Sequence, residues 1–333
     1  MIRLWILACW KRYKRSSKPF RRRVGLWFGL LGGKLVGRHN FETFKRVCLD
    51  LAQHEQHTAF ACVVRWYDPD LRLPVHRAAF MSAGAAHGSL NAFRLFSGPY
   101  RAFEKIYRND AIEWARCRFF YEAVLPMLDE SLLKVPSLLA QGEGRRLLFA
   151  HFELVRIDPL SRQGYLKLAC RVISLLRSVP VSIRPDDQWL GGWQDTPFFT
   201  AQVAKTWKLL ESEGVSVVPL ERSMRAAVLL PRFAAHGDLS KSNLGAGNLV
   251  LDWDCFGYFP AEYDVALVVA LCIDSDGELS QELESFISAS YAGLDAVTSL
   301  MDYRYHVYLL ALIMADRKDT KLALYDRLFR SAA

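Results

Sequence analysis

Acidic residues are missing from the first forty positions of this 333-residue chain. The same stretch carries eleven Lys and Arg. Since the whole chain is +8, residues 41–333 are net acidic and carry no basic stripe. That excludes a nucleic-acid-binding body, so no nucleic-acid partner is expected. Long uncharged apolar runs are also lacking. "LWILACW" at 4–10 and "VGLWFGLLGGKLVG" at 24–37 flank the basic block. Neither reaches the roughly 18–20 residues that span a bilayer, and the first is followed by cations where a signal peptide has a cleavage site. The seven cysteines include no C-x-x-C pair and are odd in number. This argues against a zinc site or a disulfide framework and for a reducing cytosol. No repeat of 20–50 residues or low-complexity tract occurs.

What is present is a globular composition, 51% hydrophobic and 23% charged. Residues 40–56 predict a helix capped by Asn40. From about 78 to 108, short apolar runs broken by glycine predict strands. Residues 110–130 have helical spacing. "SLLAQGEGRRLLFAHFEL" predicts a hairpin with Gly142 and Gly144 in its turn. After 156 the chain is mainly helical, with amphipathic segments at 165–179 and 198–214, the latter ended by Gly214. The division is 1–75, a basic N-terminal extension with a helix; 76–152, a small β-rich lobe with one helix; and 153–333, a larger, mainly helical lobe.

One stretch concentrates polar chemistry. "AAHGDLSKSNLGAGNLVLDWDCFGYFPAEYDVALVVA" begins at residue 234. It sets His236, Asp238 and Asn243 before an apolar run, then Asp252, Asp254 and Asp264. A surface loop with incidental acids is the bland alternative. Phosphoryl transfer needs this set instead: one carboxylate to orient a hydroxyl and take its proton, another to hold a divalent cation on phosphates, and an amide to complete the shell.

"HGDLSKSN" followed by "LVLDWD" and "YDVA" resembles the aminoglycoside phosphotransferase and choline kinase group. The resemblance extends over about 80–330. It implies an α+β, bilobal protein-kinase-like fold, with ATP and Mg²⁺ as cofactors. Asp238 and Asn243, five apart, match the D-x-x-x-x-N of the kinase catalytic loop. Asp238 would be the catalytic base, and Asn243, Asp252 and Asp254 the metal ligands. Gly237 stands where protein kinases have arginine. Asp264 would cap the helix that follows and brace the loop. One departure is length: Asn243 and Asp252 are nine apart, which requires a very tight turn at "LGAGN".

The small lobe should supply a phosphate-binding lysine and a helical glutamate. Lys105, at the end of a strand, and Glu122 fit, with Glu113 as the rival glutamate. The phosphate-covering turn would be 87–91, with Gly88, Ser89 and Asn91, although it has one glycine and no G-x-G-x-x-G. The hinge falls near His151 and Glu153, where main-chain groups would meet the adenine.

The expected function is ATP- and Mg²⁺-dependent O-phosphotransfer to a hydroxylated small molecule or glycan, a sugar that is lipid-linked or envelope-associated. The acids of "IDSDGELSQELES" at 273–285 leave open an aminoglycoside-type antibiotic kinase. The sparse glycine loop leaves open a membrane-associated nucleotide-binding pseudokinase. The expected location is cytoplasmic, peripheral on the inner face of a membrane, with residues 1–40 on an anionic surface.

Overall fold

The computed structural model describes residues 75–80, 92–96, 102–108, 111–129, 131–143, 147–180, 197–273 and 279–330. The helix expected at 40–56, the basic segment and the turn at 87–91 lie outside the described residues. Two compact units emerge. One holds the strands before Asp110 together with Leu138–Leu154; the other holds Ala111–Ser137 and the described chain from Val155 onward. Residues 111–137, within the segment assigned above to the small lobe, thus group with the helical unit.

The first unit is a five-stranded antiparallel sheet in the order β1 (Val75–Phe80), β2 (Ala92–Phe96), β3 (Ala102–Arg108), β5 (Leu147–Glu153), β4 (Leu138–Glu143). Lys105 lies mid-strand and not at the strand end, opposite Phe93 of β2 and Ala150 of β5. Gly142 pairs with Phe149 inside β4, so it is not a turn residue.

The second unit begins with α1 (Ile112–Phe119), a shorter helix than the 110–130 pattern predicts. A π-helical turn at Phe120–Val124 and a 3₁₀ turn at Leu125–Met127 follow. The cause is Pro126, which has no N–H for an α-helical bond, while the Leu125 N–H reaches back to the Phe120 carbonyl. Next comes α2 (Arg162–Arg177), N-capped by the Ser161 hydroxyl, which accepts from the Gly164 N–H. Its buried face, Tyr165, Leu168, Ala169, Val172 and Leu176, repeats at helical spacing. α3 (Pro197–Ser212) ends at Gly214, whose φ of +66° suits glycine.

After α4 (Val218–Ala227) come two small antiparallel pairs: β6 (Arg232–Ala235) with β9 (Gly257–Pro260), and β7 (Leu244–Gly245) with β8 (Leu249–Val250). Four helices close the chain: α5 (Tyr263–Cys272), α6 (Gln281–Ser290), α7 (Leu300–Met314) and α8 (Lys318–Phe329). α5 and the C-terminal half of α7 are apolar nearly all round, so both must be buried. Val265 to Val269 and Val307 to Met314 are indeed inaccessible and form the unit's core. Among the described residues no helix is long and apolar enough to cross a membrane.

Candidate active site

The β6–β9 pair carries the polar stretch. Its register sets Ala235 opposite Gly257, and the chain then leaves β6 at His236. Gly237 turns it with φ +81°. A Cβ there would meet the Cys255 carbonyl oxygen at 2.2 Å. Only glycine allows this approach, which also accounts for the absence of an arginine before Asp238.

His236 is wholly buried. Its Nδ1 accepts the Asp238 N–H at 3.2 Å and its Nε2 faces the Leu251 carbonyl at 2.9 Å. Both bonds form only when the ring is neutral with its proton on Nε2. The buried Asp264 carboxylate accepts two backbone bonds, from His236 N–H at 2.8 Å and Gly237 N–H at 2.9 Å. Burial holds its pKa up at about 6, and those two N–H groups act against that shift. Asp264 braces the loop but makes no cap: α5 is preceded by Glu262, and no side chain caps it.

Asp238 and Asn243 are brought into contact. The Asn243 Nδ2 donates to the Asp238 backbone carbonyl at 2.9 Å and to its Oδ2 at 3.0 Å. The short connection between Asn243 and Asp252 closes as β7–β8. Its turn places Gly247 and Asn248 at positive φ, where glycine and asparagine are tolerated. Neighbours complete it: Ala246 N–H donates to the Asp158 carbonyl, Arg171 to Asn248 Oδ1, and Lys134 pairs beside β8. The Leu251 N–H donates to the Asn243 carbonyl at 2.8 Å. The tight turn therefore leaves Asn243 against Asp238.

Asp252 follows in the left-handed region, φ 62° and ψ 67°, a conformation in which Asp is several-fold enriched. It is exposed, and Asp254 on the next 3₁₀ turn is half-buried. Trp253 between them roots the turn, stacking on Phe120 with ring centroids 3.5 Å apart. Burial first, then the Asp252 charge, raises the Asp238 pKa; hydrogen bonds from Asn243 and Ser240 oppose the rise. Among the described residues no group of three or more His, Cys, Asp and Glu is placed to hold a metal ion. The donor set still suits Mg²⁺, which takes one or two carboxylates and fills its shell with phosphate oxygens and water. Asp252 and the Asn243 Oδ1 are oxygen donors of that kind, and Asp254 is the adjacent carboxylate.

The remaining sequence-predicted residues divide. Lys105, His151 and Glu153 belong to the first unit: Lys105 and Glu153 are half-buried and His151 fully buried. Glu122 is on the π-helical turn of the second unit, with its side chain more than half exposed and 3.5 Å from Arg118. Its rival, Glu113, is buried on α1. Gly88, Ser89 and Asn91 lie outside the described residues, as do Asp274, Asp276 and Glu278. Glu282 and Glu284 are engaged by arginines: Arg162 at 3.6 Å from the first, Arg327 at 3.2 Å from the second.

Sequence reasoning missed Arg177. From α2 it donates to the Ala261 and Ser290 carbonyls and to the Tyr303 hydroxyl. Ala261 lies in the turn that carries Asp264, so Arg177 fixes the brace of the catalytic loop. No local pattern announces a partner some eighty residues away.

The model of the phosphotransferase enzyme family matches residues 85–297, more than half of the chain. Among solved structures, similar ones include a GDP complex of an aminoglycoside 2′-phosphotransferase-IIIa variant, with 12% identity, TM-score 0.46, and coverage of 79% of this chain and 93% of that one. Choline kinase LicA from Streptococcus pneumoniae is 15% identical, with TM-score 0.46 and coverage of 78% and 94%. An aminoglycoside phosphotransferase from Alicyclobacillus acidocaldarius is 13% identical, with TM-score 0.41 and coverage of 80% and 93%. No curated protein matches the sequence.

Proposed function

The chain belongs to the phosphotransferase enzyme family, with its protein-kinase-like fold and small-molecule kinase activity, and on that premise we propose that it moves the γ-phosphoryl group of ATP to a hydroxyl of a small molecule or glycan. One observation carries the assignment of roles: the Asn243 amide bonds both the Asp238 backbone and its carboxylate, on a loop clamped by Asp264. That arrangement fixes one carboxylate oxygen, and in this reading the group would orient an acceptor hydroxyl. Asp238, with its proton affinity raised by burial and Asp252, accepts the hydroxyl proton as the oxygen attacks phosphorus. Asn243 and Asp252, with Asp254 beside them, are the residues that would hold Mg²⁺. Bound there, the ion neutralises charge on the transferring phosphates.

In the first unit Lys105 would contact the α- and β-phosphates, and backbone groups from His151 to Glu153 the adenine. The acceptor we favour is an envelope-associated or lipid-linked sugar. The basic, tryptophan-flanked segment 1–40 supports it, as a feature that would bring a cytoplasmic enzyme to the inner face of an anionic membrane. The test is ADP release from ATP and Mg²⁺ across hydroxylated metabolites, aminoglycosides and envelope glycolipids. Turnover with one glycolipid class supports the reading. Turnover with aminoglycosides alone favours an antibiotic kinase, and nucleotide binding without turnover on any acceptor favours a pseudokinase.

A further inference from the structure

A groove of about 520 Å³ lies along the N-terminal half of α7 and the end of α8. None of its lining residues belongs to the catalytic segment. One part of the lining is apolar: Leu300, Met301 and Leu328. Met301 is 78% exposed, an unbranched apolar side chain left in water. The other part is cationic. Arg304 and Arg327 both reach Glu284 of α6, at 3.9 and 3.2 Å. Two guanidinium groups share one carboxylate, so these three side chains are net positive.

The two cations are also held in place. Arg304 donates to the Ser288 hydroxyl at 2.8 Å. Arg327 lies over the Tyr308 ring, 4.9 Å from its centroid, and the Tyr308 hydroxyl donates to Glu284 at 3.0 Å. Fixed guanidinium groups bind an anion with less ordering cost than free ones. The Arg304 Nε–H is buried and meets no acceptor among the described residues.

We propose that this groove is a second ligand site, for an amphipathic anion whose phosphate or carboxylate head sits against Arg304 and Arg327 and whose apolar part covers Leu300, Met301 and Leu328. The juxtaposition of a fixed guanidinium pair with an exposed apolar wall fits neither a polycation nor a free inorganic anion. A free anion would leave the wall wet, and a polycation would oppose the net charge.

Titration calorimetry on the full chain tests this with decyl phosphate as the probe, against inorganic phosphate and neutral decyl maltoside. Decyl phosphate should bind one to one, with both controls at least about tenfold weaker, the scale expected when a charge pair or its apolar partner is lost. Met301→Glu places an anion on the exposed wall without touching the core and should weaken decyl phosphate about tenfold, as should Arg327→Gln. Vesicles with and without phosphatidic acid separate the sources of such a head. Pelleting that Met301→Glu abolishes assigns the groove to a lipid, and binding of decyl phosphate without such pelleting assigns it to a free amphiphile. Equal binding of decyl phosphate by the parent and both variants, or equal affinity for decyl maltoside, overturns the proposal.

Discussion

The stretch from Arg232 to Asp264 and the α7–α8 pair both belong to the second unit, but different forces hold them. The first is organised by directed bonds to buried polar atoms: His236 through both ring nitrogens, Asp264 through two backbone N–H groups, Asn243 through Asp238. The second buries the apolar C-terminal half of α7, and the ionisable side chain buried against it is Lys321. Directed hydrogen bonds set angles and distances, whereas hydrophobic packing sets volume and is tolerant of direction. The first region should therefore lose function before stability when disturbed, and the second stability before function.

The largest expected effect is in the polar region. Asp238→Asn keeps the shape and the bond from Asn243 but removes the base. Turnover should fall about 10²–10⁴-fold, the range for a positioned general base, with the melting temperature nearly unchanged. Steady-state kinetics and thermal unfolding on the same preparation check both halves. Full activity would remove Asp238 from the chemistry.

Gly237→Ala attacks the same loop through its backbone. The new Cβ meets a main-chain carbonyl oxygen at 2.2 Å, which no side-chain rotation relieves, and the φ is one that alanine disfavours. The loop must move, so activity should fall at least tenfold at a cost of about 1–3 kcal/mol in stability. Nearly parental kinetics would show that Cys255 yields instead.

Arg177→Met sits at the boundary between the two behaviours. The substitution keeps much of the aliphatic length but frees the Ala261 and Ser290 carbonyls and the Tyr303 hydroxyl. If Arg177 fixes the brace, kcat should drop about tenfold while the nucleotide KM changes little, because the loss is in orientation. A loss of melting temperature with unchanged kcat would make the arginine structural only.

How far the sequence was legible follows the same division. Period and composition suffice for helices such as α2, because burial of one face dictates spacing. The D-x-x-x-x-N spacing suffices for Asp238 and Asn243, because both lie within one short loop. Arg177, the close approach of Gly237 to Cys255 and the stacking of Trp253 on Phe120 depend on chain segments that the local pattern does not connect. The length of α1 was misjudged because apolar spacing continues through Pro126, which the hydrogen-bond ladder cannot follow. Gly142 was misplaced for a related reason: a glycine reads as a turn, yet the β4 ladder runs through it.

The smallest effect, and the most specific to the apolar region, concerns Lys321. Its ammonium is buried and donates to Thr206 Oγ1 at 2.6 Å and to the Leu312 and Ile313 carbonyls at 2.8 and 2.6 Å, at the end of α7. Burial, with Lys205 nearby, pushes its pKa down to about 7. In the unfolded chain it titrates near the ordinary lysine value of about 10.4. Between those values the unfolded state binds the proton and the folded state does not, so this group makes the protein more stable as pH rises from about 7 toward 10, and that gain is lost as pH falls back from 10 toward 7. Lys321→Met removes the titration and leaves carbonyls without their donor, at a cost of about 1–3 kcal/mol for a buried acceptor left unsatisfied. The stability gap between parent and variant, from denaturant unfolding, should widen from pH 7 to pH 9.5, while activity at pH 7.5 stays at the parental level. A gap that remains flat would mean that the three acceptors keep Lys321 protonated in the folded state, so that hydrogen bonding outweighs burial at this position.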